Sequence, residues 1–204
     1  MNAQTPHLQA AGAETKRVLL PLLIIVGVMW LLEIVDQLLF RGALDGLGIL
    51  PRQVAGLRGI PLAPFLHGSF AHLTANTVPF LALGFLVMLR HSRQFVAVSL
   101  TIILISGLGT WLIAPAYTVH IGASGIIFGY FAFLLGAAYY DRSPRAFALA
   151  LVVILIYGGL LGGALPQAGH ISWQGHLFGL VGGAVAARAF VPRSSQIRID
   201  IDSL

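Results

Sequence analysis

Six long apolar runs constrain this chain more than any other feature of its sequence. They lie at roughly 18–39, 72–90, 95–114, 124–140, 146–164 and 173–191. Each approaches or reaches the ~20 residues that an α-helix needs to cross the hydrocarbon core of a bilayer. The strands of a membrane β-barrel would be about half as long and would alternate polar with apolar residues. The pattern therefore predicts an all-α, polytopic membrane protein built as a bundle of six transmembrane helices.

Composition excludes a soluble globular protein. Charged residues make up 9% of the chain, against about 25% in ordinary soluble domains. The absence of cysteine excludes thiol catalysis and cysteine-based zinc sites. The net charge of +5 does not indicate nucleic-acid binding, because the basic residues are spread over loops and tails. The predicted partner is the lipid bilayer, and the sequence leaves the oligomeric state open.

The basic residues also predict the orientation of the helices. With six crossings, one side of the membrane collects most of them: Lys16, Arg17, Arg90, Arg93, Arg142, Arg145, Arg188, Arg193 and Arg198. The positive-inside rule then places both termini in the cytoplasm. The predicted organisation is a cytoplasmic tail at 1–17, a membrane domain at 18–191 and a cytoplasmic tail at 192–204. We expect a multi-pass protein of the cell membrane, with the bacterial plasma membrane favoured.

Polar residues gather at one depth of this predicted bundle. The second, fourth and sixth helices begin at the outer surface near residues 72, 124 and 173. His72, Asn76, Ser124 and His176 then lie within one or two turns of that surface, at 1.5 Å of rise per residue. Polar groups inside a membrane are costly, rare and usually functional. The sequence therefore predicts a polar functional site near the outer ends of three helices.

Ser124 and His176 are the minimal pair for nucleophilic acyl transfer. Ser124 opens the fourth helix, whose free N–H groups would stabilise an oxyanion. Small residues recur every three or four positions on the fourth and sixth helices, which predicts close contact between them and brings the two side chains within reach. These residues are Gly125, Gly129, Ala132 and Gly136, and Gly175, Gly179, Gly183 and Ala187. The alternative is an N-cap serine among packing glycines.

Two further polar side chains share one face of the second helix. His72 and Asn76 are four residues apart, and both offer neutral donors suited to an oxyanion hole. The alternative for both is hydrogen bonding between helices. We expect His67, in the preceding loop, to form a structural hydrogen bond. His120 and His170 are loop histidines for which the sequence suggests no partner.

The acidic residues argue for a dyad and against a metal site. No His-Glu-x-x-His occurs, and no carboxylate falls in the polar layer of the second, fourth or sixth helix, so neither a metal nor a cofactor is expected. Glu33 and Asp36 lie near the outer end of the first helix, where we expect them to pair with loop arginines such as Arg41. The long, apolar first loop, at about 41–66, is expected to lie in the membrane interface and to be functional.

Three short motifs resemble those of the rhomboid intramembrane serine proteases, in the order and on the helices typical of that family. They are Phe65-Leu66-His67 followed by His72-x-x-x-Asn76, then Gly122-Ala123-Ser124-Gly125, then Gly175-His176-x-x-Gly179. The resemblance covers residues 18–191 and implies the six-helix form common in prokaryotes.

The resemblance also implies roles for the residues. Ser124 would be the nucleophile and His176 its general base, and His72, Asn76 and the backbone N–H of Ser124 would form the oxyanion hole. His67 and the motif glycines would support them. The substrates would be single-pass membrane proteins cut near the outer surface. The loop after the fifth helix, near Leu165–Ser172, would form a cap over the site. The fifth helix itself would lie near the substrate entrance.

Two departures from the family pattern stand out. Arg58-Gly59 occurs where the family often has Trp-Arg in the first loop. Phe128 occurs where the family often has a tyrosine that stacks on the catalytic histidine. Two other functions stay open: a non-catalytic relative that binds membrane proteins as a quality-control factor, and a small transporter. The inner halves of the second, fourth and sixth helices offer no polar path, which argues against a transporter.

Overall fold

The computed structural model describes residues 4–167 and 171–192, with side chains from residue 17 onward. Six long helices make up the bundle: α1 (Gln4–Val35), α2 (Phe70–His91), α3 (Phe95–Ile113), α4 (Ser124–Asp141), α5 (Pro144–Tyr157) and α6 (Trp173–Phe190). Most boundaries fall within two residues of those predicted. However, α1 begins far earlier, at Gln4, and α5 gives way to a 3-10 segment, Gly158–Ala164. Part of the expected cap loop, 168–170, and most of the C-terminal tail, 193–204, lie outside the described residues.

The architecture is that of an all-helical, polytopic membrane protein. Four segments of the described chain are long and apolar enough to cross a membrane: Arg17–Phe40, Phe70–His91, Phe95–Ile113 and Pro144–Ala164. Helices α4 and α6 carry glycine, tyrosine, glutamine and histidine among their apolar residues. Many of their residues are buried, and the polar side chains of Tyr130, Gln174 and His176 are enclosed by protein.

Helices α4 and α6 lie in backbone contact, as their small-residue stripes predict. A Cβ atom built on Gly179 would overlap the carbonyl of Gly125, and one built on Gly183 would overlap the carbonyl of Gly129. Without side chains at these positions the two backbones approach as closely as they do. This contact brings the first turn of α4 beside the first turn of α6.

A continuous apolar core joins the other helices to this pair. Leu22 and Met29 of α1 and Leu83 of α2 are fully buried in it, together with aromatic rings of α4. The phenol of Tyr130 reaches the hydroxyl of Ser99 on α3, with 2.7 Å between the oxygens. Burial of a phenol in an apolar core requires such a partner. The core therefore packs α4 against α2 and α3.

The loop between α1 and α2 is folded against α3. It contains the 3-10 turns Ala43–Leu47 and Val54–Arg58 and a short helix, Gly59–Leu62. Its anchor is Arg52, which has a left-handed φ of 58°. The Nη1 atom of Arg52 donates to the carbonyls of Leu112 and Ala114, at 3.1 and 2.7 Å. Arg52 thus satisfies free carbonyls at the C-terminal end of α3, a role that the sequence did not reveal.

The expected pairing of Glu33 and Asp36 with Arg41 is wrong. Glu33 accepts a hydrogen bond from Gln37, and an oxygen of Asp36 accepts from the backbone N–H of Leu44 at 3.0 Å. Neither carboxylate has an ion-pair partner among the described residues. The reason is local, because α1 ends in a π-helical turn, Asp36–Phe40, that Arg41 closes in a left-handed conformation with its side chain exposed. Asp36 is thereby free to cap the backbone of the following turn.

Candidate active site

The side chains of Ser124 and His176 are joined by a hydrogen bond. The distance from Ser124 Oγ to His176 Nε2 is 2.8 Å, and His176 is buried. The residue in the N-cap position of α4 is Ala123, and Ser124 follows as the first helical residue. The hydroxyl of Ser124 therefore bonds to the imidazole instead of capping its own helix. This geometry is that of a serine with a base within proton-transfer distance.

A backbone carbonyl fixes the tautomer of His176. The Nδ1 atom lies 2.8 Å from the carbonyl oxygen of Gly163. Because a carbonyl only accepts hydrogen bonds, Nδ1 must carry the proton, and Nε2 of the neutral ring is left with a lone pair that faces Ser124. Gly163 lies in the 3-10 segment after α5. No side-chain pattern predicts this contact, because a main-chain atom makes it.

The ring of Phe128 stacks on that of His176. The ring centroids are 4.1 Å apart and the planes differ by 10°. Phe128 lies four residues after Ser124 on α4, so one helix turn places the phenyl ring beside the imidazole. The stack and the bond to Gly163 together hold the imidazole in one orientation.

His72 and Asn76 lie beside the loop that leads into α4. Gly122 has a φ of 110°, and a Cβ atom there would meet Nε2 of His72 at 2.8 Å and Nδ2 of Asn76 at 3.6 Å. Glycine is thus required at 122 by its backbone conformation and by this close approach. One N–H of the Asn76 amide donates to the carbonyl of His72 at 3.2 Å. The two polar side chains therefore converge on the segment just before Ser124.

His67 is a buried, neutral part of the scaffold. Its Nε2 atom accepts a hydrogen bond from the backbone N–H of Ala123 at 3.4 Å, next to Ser124. Its ring meets that of His72 edge-on, with centroids 5.1 Å apart. Burial, reinforced by repulsion from His72, lowers the pKa of His67 to about 4. A neutral ring is what acceptance of a backbone N–H requires.

His120 links three loops, which the sequence did not predict. Its Nδ1 atom lies 2.6 Å from the hydroxyl of Ser172, just before α6, and its Nε2 atom lies 2.8 Å from the hydroxyl of Thr118. Its backbone pairs with that of Ile49 in the first loop. Burial lowers the pKa of His120, so the ring is neutral at physiological pH. His170, the other loop histidine, lies outside the described residues.

Ser106 of α3 joins the starts of α4 and α6. Its hydroxyl donates to the carbonyl of Gly175 at 2.8 Å, within the core. It also fills the space beside Gly125, where a Cβ atom would meet it. A cavity of about 40 Å³ lies next to this junction and beside Ser124, which is large enough to hold a water molecule.

Comparison with known proteins assigns the chain to a family. A model of the Rhomboid domain matches residues 56–193. The chain belongs to the rhomboid family. An uncharacterized protein of Mycobacterium bovis is 46% identical over 174 residues, which cover 81% of this chain and 72% of the relative. An uncharacterized protein of Mycobacterium leprae is 40% identical, over 81% and 68% of the two chains. A Bacillus subtilis protein named "Putative rhomboid protease YdcA" is 30% identical over 58% and 59%.

The rhomboid match begins in the first loop and contains α2 to α6. The residues of the candidate site all lie within it, and α1 lies outside it. As a rhomboid with several long apolar helices, the protein is a multi-pass membrane protein.

Proposed function

We propose that this rhomboid is an intramembrane serine endopeptidase that uses a Ser124–His176 dyad to cut single-pass membrane proteins near the outer membrane surface. The observation that carries the proposal is the 2.8 Å hydrogen bond from Ser124 Oγ to a histidine nitrogen whose ring partner on the other side is a carbonyl. A serine bonded to a correctly protonated base is the arrangement that acyl transfer needs. Membership in the rhomboid family supports the same activity.

The first half-reaction forms an acyl-enzyme. Ser124 Oγ attacks the scissile carbonyl carbon while His176 Nε2 takes the hydroxyl proton. The negative charge that develops on the carbonyl oxygen is stabilised by the side chains of His72 and Asn76 and by the N–H of Ser124 at the start of α4. His176 then gives the proton to the leaving amine as the peptide bond breaks.

The second half-reaction repeats these roles with water. His176 takes a proton from a water molecule that attacks the acyl carbon, and the same donors stabilise the second tetrahedral intermediate. Its collapse returns the proton to Ser124 Oγ and releases the new carboxylate. No cofactor takes part in either half. The enclosed position of the site, among helices, limits access to substrates that are themselves in the membrane.

The proposal includes a topology. All six long helices cross the bilayer, both termini are cytoplasmic, and the membrane is a bacterial plasma membrane. The distribution of basic residues supports this orientation, because Arg90, Arg142 and Arg145 lie at the opposite ends of the helices from the polar site. Arg90 forms an ion pair there with Asp141, at 2.9 Å. The mycobacterial relatives support the bacterial location.

The alternative is a non-catalytic rhomboid that binds membrane proteins. Covalent labelling with a fluorophosphonate probe separates the two functions, because it needs an activated serine but no known substrate. We expect the wild type to be labelled and both Ser124→Ala and His176→Ala to lose labelling by at least about 100-fold. Ser92→Ala and His91→Ala, at the far end of α2, are the matched controls and should label normally.

Two results would count against the protease. A folded wild type that is not labelled would favour the binding function. Labelling that persists in Ser124→Ala would place the reactive nucleophile elsewhere.

A further inference from the structure

The carbonyl of Gly163 is the polar group that faces His176 from the side opposite Ser124. The carbonyl oxygen lies 2.8 Å from Nδ1 of the ring. We propose that Gly163 is the positioning residue of the dyad: its carbonyl selects the imidazole tautomer that can act as a base and stabilises the imidazolium formed when Ser124 attacks. This inference rests on the proposed function and assigns a residue that the motifs do not contain.

The chemistry of the proposal follows the ring proton. A neutral imidazole carries one N–H, and a carbonyl oxygen can only accept, so the contact holds that proton on Nδ1 and leaves the Nε2 lone pair for Ser124. When Nε2 takes the serine proton, both ring nitrogens carry protons and the bond to Gly163 becomes charge-assisted and stronger. In hydrolases with a Ser-His-Asp triad a carboxylate has this role. Among the described residues of this chain, no carboxylate forms a hydrogen bond or an ion pair with His176.

The packing at the back of the ring favours glycine at 163. A Cβ atom there would lie 3.1 Å from the Phe128 ring and 3.3 Å from Nδ1 of His176, closer than ordinary van der Waals contact. The backbone reaches the imidazole because no side chain separates them. Substitution at 163 would therefore displace either the carbonyl or the stacked pair of rings.

Other glycines of the same segment lie in open space, which makes them matched controls. Cβ atoms built on Gly159 and Gly162 would meet nothing within 4 Å. All three glycines belong to the 3-10 segment Gly158–Ala164. A glycine-to-alanine change has the same effect on backbone freedom at each position. Only the change at 163 meets the ring.

The first test compares fluorophosphonate labelling rates of three variants. We expect Gly163→Ala to label at least about ten-fold more slowly than the wild type, because displacement of a catalytic base by a fraction of an ångström is already costly. Gly159→Ala and Gly162→Ala should label within about two-fold of the wild type. Equal rates for all three variants and the wild type would overturn the inference while leaving the dyad intact.

A second variant tests the carbonyl without adding a side chain. Replacing the amide between Gly163 and Ala164 by an ester weakens the Gly163 carbonyl as an acceptor and keeps its shape. We expect labelling to slow by about five-fold, the effect of weakening one hydrogen bond. An ester between Gly159 and Leu160 is the control. If both esters label alike, the carbonyl does not act on the base, whatever Gly163→Ala does through packing.

A spectroscopic measurement reads the tautomer directly and separates this inference from the proposed function. In protein labelled with ¹⁵N-histidine, protonated and unprotonated ring nitrogens give well-separated signals, and those of His176 are assigned by their loss in His176→Ala. We expect Nδ1 to be protonated in the wild type and the two tautomers to mix in Gly163→Ala. An Nε2-protonated ring in the wild type would refute the inference even if labelling succeeds. Failed labelling with an Nδ1-protonated ring would refute the protease alone.

Discussion

The closest backbone contact near the dyad offers a quantitative test of how the site is held. In Gly179→Ala, the new methyl group would overlap the carbonyl of Gly125, and the two helices must separate by about 1 Å to restore van der Waals distance. Gly125 adjoins Ser124, and Gly179 lies one turn after His176. A shift of that size would stretch the 2.8 Å bond between the dyad atoms beyond the hydrogen-bond range.

The expected effect of Gly179→Ala is larger on the reaction than on the fold. Misplacement of about 1 Å costs as much as 100-fold in rate, while overpacking costs about 1–3 kcal/mol of stability. The assay is the fluorophosphonate labelling rate, measured beside thermal unfolding in detergent. Gly27→Ala on α1 is the control, because a Cβ atom there meets nothing within 4 Å. If Gly179→Ala labels as fast as Gly27→Ala, the dyad does not depend on backbone contact between α4 and α6.

Three other perturbations have expected outcomes. Phe128→Ala removes the ring stacked at 4.1 Å on His176 and should slow labelling by about ten-fold, whereas Phe128→Tyr should keep the rate. Arg52→Ala loses two hydrogen bonds to the end of α3. It should lower the free energy of unfolding by about 1 kcal/mol, which a lower unfolding temperature would report. Burial raises the pKa of Asp45 to about 6, so the stability that its protonated form contributes is lost as the pH rises from about 4 to about 6. Asp45→Asn should therefore raise the unfolding temperature at pH 7 but not at pH 4.

The helices and their contacts were predictable because hydrophobic length and small-residue spacing are local signals. The ends of α2, α3, α4 and α6 follow from where the apolar runs start and stop. The stripes ending at Gly136 and Ala187 predict which two helices touch. The start of α1 was not predictable from hydropathy, since a polar stretch can continue a helix beyond the apolar run. The predicted ion pair between Asp36 and Arg41 was wrong because the chain ends α1 in a π-helical turn. Composition does not indicate such a turn.

The side chains of the candidate site could be predicted from the sequence, but the contacts between distant segments that hold them could not. Ser124, His176, His72 and Asn76 are rare polar residues in apolar runs, so each can be found by its type and depth. The carbonyl of Gly163 and the hydroxyl of Ser106 act through three-dimensional proximity between segments far apart in sequence. Likewise His120 contacts Ser172 only because two loops meet, which no spacing rule foresees.

Packing is tight at the centre of the bundle and loose on α5, and this difference affects how the sequence can evolve. At the contact of α4 with α6, even one added methyl group has no room. By contrast, Leu155 and Ile156 of α5 expose 75% and 66% of their surface. Substitutions at such exposed positions of α5 can therefore accumulate while the Ser124–His176 pair stays unaltered. The outer face of the bundle can thus change in sequence without any change at its centre.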